Sequence, residues 1–111
     1  MQAVTESMAV IQPQGSLNAS NAQDFQSILL ERIQAEAASG LLVDMSRLES
    51  LDSSGLISLI AAFKQARLLG KNFYLCSVPP AIRIVFELTQ LDQAFEILDE
   101  SSASQIGRAH V

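Results

Sequence analysis

The sequence predicts one α/β domain on a small, mainly parallel sheet, and three observations point there. Short apolar runs alternate with stretches whose apolar residues recur every three or four positions. Gly, Pro, Asn and Ser residues punctuate the joins between them. One run, Leu41-Leu42-Val43-Asp44-Met45, is almost continuously apolar, which fits a central strand buried on both faces. A chain of 111 residues supports a single hydrophobic core, and 49% hydrophobic with 17% charged residues is the balance of a folding chain.

Along the chain, Met8-Ala9-Val10-Ile11-Gln12-Pro13 reads as a strand, with Pro13 marking a sheet edge or a strand end. A shorter strand over residues 2–5 pairs with it through a turn at Glu6-Ser7, so the sheet begins with a hairpin. Gly15 and Asn18 supply turn chemistry. Ser20 or Asn21 then caps a helix whose apolar stripe is Ala22, Phe25, Leu29, Ile33 and Ala37, with Gly40 as its stop.

After the central strand, residues 46–51 read as a loop. Asp52-Ser53-Ser54-Gly55 leads into a second helix carrying Leu56, Ile57, Leu59, Ile60 and Phe63, and Lys64, Arg67 and Gly70 close it. Asn72 to Ser77 reads as the next strand, and Pro79-Pro80 opens a third helix with Ile82, Val85, Phe86 and Leu88. Leu91-Asp92-Gln93 interrupts it, and Ala94-Phe95-Glu96-Ile97-Leu98 is the last strand. The domain therefore spans residues 1–100. Residues 101–111 form a loose polar tail, of which 107–111 look partly derived from cloning and are set aside.

Composition excludes several function classes. A net charge of -5 with no Lys/Arg cluster gives no basic face for nucleic-acid phosphates. The most apolar stretch, residues 56–63, falls far short of the ~20 residues that span a bilayer. No secretory signal opens the chain, so the expected compartment is the cytoplasm, where the lone Cys76 is a buried reduced thiol. The only histidine, His110, lies in the tail, so no catalytic triad or zinc set can be assembled, and no Gly-rich phosphate loop occurs. The chain is expected to have no enzymatic activity, metal or cofactor.

The cluster Asp52-Ser53-Ser54-Gly55 remains. Read structurally, it is an N-cap, which explains the Asp and one Ser. Two adjacent hydroxyls, a negative neighbour and a Gly in the first helical turn exceed that need, since Gly there costs about 1 kcal/mol of helix propensity while opening the backbone to close approach.

The motif order resembles the STAS family, whose members include the antagonists of bacterial anti-sigma factors. The similarity runs to about Asp99 through Gly15-Ser16-Leu17-Asn18, Leu42-Val43-Asp44-Met45, Leu51-Asp52-Ser53-Ser54-Gly55-Leu56, Gly70 and Pro80-Ala81-Ile82. The resemblance implies four or five strands with helices mainly on one side. It implies Ser53 as phosphoacceptor, and a partner surface made by the switch loop, with Asn18, Asp52, Ser54, Gly55 and Leu56, and by the helix that follows it. The implied partners are a serine kinase that is also the anti-sigma factor, and a phosphatase. The alternative is a constitutive STAS adaptor subunit of a signalling assembly or a lipid-type ABC transporter. Two positions depart from the family pattern: Asn18 stands where Asp is frequent, and Thr89-Gln90-Leu91 where Ser-Gly-Leu is frequent.

Because residues 101–111 supply little patterned apolar surface, deleting them should leave the melting temperature nearly unchanged. A loss above about 1 kcal/mol in a denaturant titration would move the domain boundary into this segment.

Overall fold

Apolar side chains on both faces of one strand organise the molecule. The computed structural model describes residues 8–98. In chain order these form β1 (Met8–Ile11), β2 (Gly15–Leu17), α1 (Ala22–Gln34), β3 (Gly40–Asp44), β4 (Leu48–Leu51), α2 (Ser53–Leu68), β5 (Asn72–Cys76), α3 (Pro80–Leu88) and β6 (Glu96–Leu98). Strand β3 lies between β1 and β5, and β6 extends the sheet beyond β5, giving a four-stranded sheet of order β1-β3-β5-β6. Every pairing in it is parallel. Pro13 lies just past the end of β1, where a missing N–H costs no ladder bond.

Alternation along β3 and β5 divides the core. Leu41, Val43, Phe73 and Leu75 join one cluster with Phe25, Leu29 and Ile33 of α1, Leu59, Ala62 and Ala66 of α2, and Ile82 and Phe86 of α3. The described helices thus pack on one face. Leu42 and Cys76 form a smaller cluster with Met8 on the other, beside Tyr74 and Leu98. Burial, and secondarily the Asp44 carboxylate, pushes the Cys76 thiol up from its ordinary value, against a smaller opposing hydrogen bond with Ser77. The thiol is thereby kept neutral.

Residues 15–18 and 46–51, expected as turn and loop, instead carry a second sheet in which β2 and β4 pair in parallel. The pattern was too short to read, because only Leu17, Leu48 and Leu51 bury their side chains there, among exposed or half-buried Ser16, Glu49 and Ser50. A register shift between Gly15 and Ser16 breaks the ladder further, and Ser50 Oγ donates to Ser16 Oγ at 2.8 Å across it.

Helix α1 buries Ala22, Phe25, Leu29 and Ile33 as expected, but it ends at Gln34 and leaves Ala37 exposed. Lys71 explains the early stop. Its Nζ donates to Ile33 O at 2.7 Å and Ala35 O at 2.8 Å, satisfying carbonyls at the negative end of the helix. Gly40 opens β3 instead of closing α1. The expected hairpin strand at 2–5 and the tail at 101–111 lie outside the described residues.

Helices α2 and α3 end in the same cap. After α2, Gly70 N donates to Arg67 O and Lys71 N to Ala66 O; after α3, Gln90 N donates to Glu87 O and Leu91 N to Phe86 O. Both are Schellman motifs, which need a left-handed residue just past the helix. Gly70 takes φ 68° without cost, whereas Gln90 takes φ 63° and carries the Cβ penalty. Replacing Gln90→Gly should therefore raise stability by about 0.5–1 kcal/mol, and Gly70→Ala should lower it by about 1 kcal/mol, read from chemical denaturation midpoints.

Candidate functional site

The parallel register Leu17↔Leu51 runs two strands side by side into two helix starts. Asp52 N donates to Leu17 O at 3.0 Å, carrying the pairing one residue past β4. The β2–α1 turn and the β4–α2 turn are thus adjacent, and Asn18 and Asp52 sit at the same end of the β2–β4 pair.

The first turn is closed by its own side chains. Asn18 Oδ1 accepts from Ser20 N at 3.0 Å and from Ser20 Oγ at 2.6 Å, while Asn18 N donates to Asn21 Oδ1 at 3.0 Å. Asn21 Nδ2 donates back to Ser16 O at 2.8 Å. Asn21 occupies the N-cap position of α1, yet its side chain ties the turn to β2 and does not cap the helix, and Ser20 does not cap it either. The oxygen of Asn18 is committed to this turn as an acceptor, a role that Asp could fill as well.

In the second turn Asp52 has extended backbone angles and is the N-cap of α2. Its Oδ1 accepts from Ser54 N at 2.9 Å and Gly55 N at 3.2 Å. Ser53 is the first helical residue and its side chain is exposed, while Ser54 is half-buried. The cap needs neither hydroxyl, so Ser53 Oγ projects at the positive end of the helix.

Gly55 is buried, and the close approach expected there is made by the chain's own residues. A Cβ at Gly55 would lie 2.6 Å from Leu51 Cδ1, 2.8 Å from Leu17 Cβ and 3.2 Å from Leu17 O. Gly55 therefore supports the turn from beneath and presents no surface. Leu56 is half-buried against the main core. Of the residues singled out by sequence, Asn18, Asp52, Ser53 and Ser54 gather at this end; Gly55 and Leu56 face largely inward.

Sequence reasoning passed over three features. Ser58, almost fully buried, donates its hydroxyl to Ala22 O at 2.8 Å and Ser54 O at 3.2 Å, tying the first turns of α2 and α1 together. Ile57 is 60% exposed and Leu68 81% exposed. With Ala61 and Lys64 between them at spacings of three and four, they form an outward stripe on α2, a helix without any acidic residue in a chain of net charge -5. The signal was available: apolar residues at both 56–57 and 59–60 cover more of a helix than one buried face can hold. Beside the stripe, a groove between α1 and α2 is lined by Ala22, Gln23, Gln26, Ser54 and Ile57.

Among the described residues no group of three or more His, Cys, Asp or Glu could hold a metal ion, and no helix is long and apolar enough to cross a membrane. The family model of the STAS domain matches residues 2–104. The chain belongs to the STAS domain family. Its fold agrees with solved STAS-type structures: it superposes with a TM-score of 0.81 and 22% identity on a crystal structure from Thermotoga maritima named as an anti-sigma factor antagonist, covering 95% of this chain and 89% of that one. Against the unphosphorylated anti-sigma factor antagonist SpoIIAA the TM-score is 0.72 at 19% identity, covering 95% and 91%. In sequence, BtrV of Bordetella bronchiseptica, also named as an anti-sigma factor antagonist, is 26% identical over 91 residues, which are 82% of this STAS chain and 78% of BtrV.

Helix propensity alone says that Gly55→Ala gains about 1 kcal/mol. The contacts at Leu17 and Leu51 reverse that sign, because Leu17 Cβ and O cannot swing away and overpacking costs about 1–3 kcal/mol. A urea titration should show Gly55→Ala to be less stable by roughly 1–2 kcal/mol.

Proposed function

We propose that this STAS protein is an anti-sigma-factor-antagonist type of regulator. It binds a kinase-like anti-sigma factor while Ser53 is unmodified and releases it once Ser53 carries phosphate; a phosphatase resets it, and the exchange takes place in the cytoplasm. No catalytic step falls to the chain itself. The observation that carries this reading is the exposed Ser53 at the first position of α2, beside a carboxylate already committed to capping Ser54 and Gly55. Two curated relatives named as anti-sigma factor antagonists, each 26% identical and covering 82% and 89% of this chain, support the same role.

The partner surface in this reading is the adjoining turns together with the outward stripe of α2. Phosphate on Ser53 adds about -1.5 to -2 charges. The N–H groups of Ser54 and Gly55 are taken by Asp52, so the phosphate stays in solvent beside a like charge, and the helix dipole offsets part of the repulsion. The fold is left intact. Docking through Ile57 and the rest of the stripe must then strip water from a dianion, and that cost falls on the complex.

The test uses the kinase recovered with the unmodified protein as bait. Incubation with ATP should phosphorylate the wild type and Ser54→Ala, but not Ser53→Ala, by intact mass. Calorimetric titration should show the phosphorylated form binding at least about tenfold more weakly, ~1.4 kcal/mol, with an unchanged thermal melt. Phosphate on Ser54 would reassign the acceptor. Equal affinities of the two forms would replace the switch with a constitutive adaptor, the reading under which the loop is only a docking surface.

A further inference from the structure

We propose that the outward face of α3 is the contact surface of a weak two-fold homodimer of this chain. Helix α3 buries Ile82 and Phe86 and turns Ile84, 54% exposed, and Leu88, 80% exposed, to solvent. Ala81, also exposed, continues this stripe one turn earlier, at spacings of three and four. Along one flank run Arg83 and Glu87, opposite charges four residues apart and both exposed.

Self-complementarity selects a second copy as the occupant. A two-fold axis perpendicular to α3 pairs the helix with its own antiparallel image and keeps each flank facing the same flank of the copy. An axis passing near Val85 sets Arg83 opposite Glu87 of the copy, twice, and seats Leu88 of each chain over the small Ala81 of the other. A partner of single charge sign gains nothing from a flank with one cation and one anion, whereas a copy satisfies both. Elsewhere the net charge of -5 on each chain opposes self-association, which confines pairing to a face that is locally neutral. One nine-residue helix offers less than a standard interface, so the dimer is concentration-dependent. This surface is on a different helix from Ser53, and the inference stands apart from the proposed switch.

Sedimentation equilibrium of the full chain from about 10 µM to about 1 mM reads the association directly. The wild type should dimerise within that range. Leu88→Glu should raise the dimer dissociation constant at least about tenfold while circular dichroism and the melt stay at wild-type values, because the residue is mostly exposed. Arg83→Glu should weaken pairing by a similar factor, and the exchanged pair Arg83→Glu with Glu87→Arg should return it to within about threefold, a recovery that a merely structural role for either residue would not give. A wild type that stays monomeric at every concentration overturns the proposal. So does a dimer that withstands Leu88→Glu, whether it forms through another face or another segment of the chain.

Discussion

The geometry at the turn before α2 depends on how closely the start of that helix can approach the β2–β4 pair. That approach requires the missing Cβ at Gly55, since Leu17 and Leu51 fill the space a side chain would take. Farther along the same side of the helix the buried residues Ser58, Ala62 and Ala66 are also small, with Leu59 the one large side chain buried among them. Bulk is supplied from the flank: Phe63 meets Phe73 and Phe95 edge-on, with ring centroids 6.0 Å and 5.4 Å apart. With α2 seated this way, Ser53 has nowhere to go but outward.

Polar contacts then hold the seat. Side-chain hydrogen bonds close each helix start near the site: Asp52 caps α2, Asn18 and Asn21 close the turn before α1, and the Ser58 hydroxyl bridges the two helices. At the far end of α1, Lys71 takes two terminal carbonyls. Asp52 carries two consequences at once, because the carboxylate that builds the turn is also the fixed negative neighbour of Ser53.

Much of this was legible because burial leaves a periodic trace. The stripe Ala22, Phe25, Leu29, Ile33 announced α1, and the run through Leu41, Leu42 and Val43 announced the central strand, since long elements repeat their signal enough to be read. Strands β2 and β4 failed that test, at three and four residues with polar partners. The end of α1 was unreadable for another reason: it is set by Lys71, distant in sequence and visible only once the fold brings it near. At the site, Asp52 as a cap followed from residue type, but the inward role of Gly55 and the outward role of Ile57 depend on which side of α2 meets the sheet. The buried side combines Leu59 with the small residues Gly55, Ser58, Ala62 and Ala66, and of the large apolar residues from Leu56 to Phe63 only Ile57 is turned to solvent.

The parallel pairing of β2 with β4 bears on how the domain is assembled during synthesis. Parallel strands cannot be closed by a tight turn; they need a long crossover, and its loop-closure entropy must be met before any ladder bond forms. Leu17 and Asp52, whose hydrogen bond joins the two turns, are separated by all of α1 and β3. A ribosome-bound fragment can therefore expose Ser53 well before the folded turn around it exists, because that turn waits for β4 to emerge and find β2.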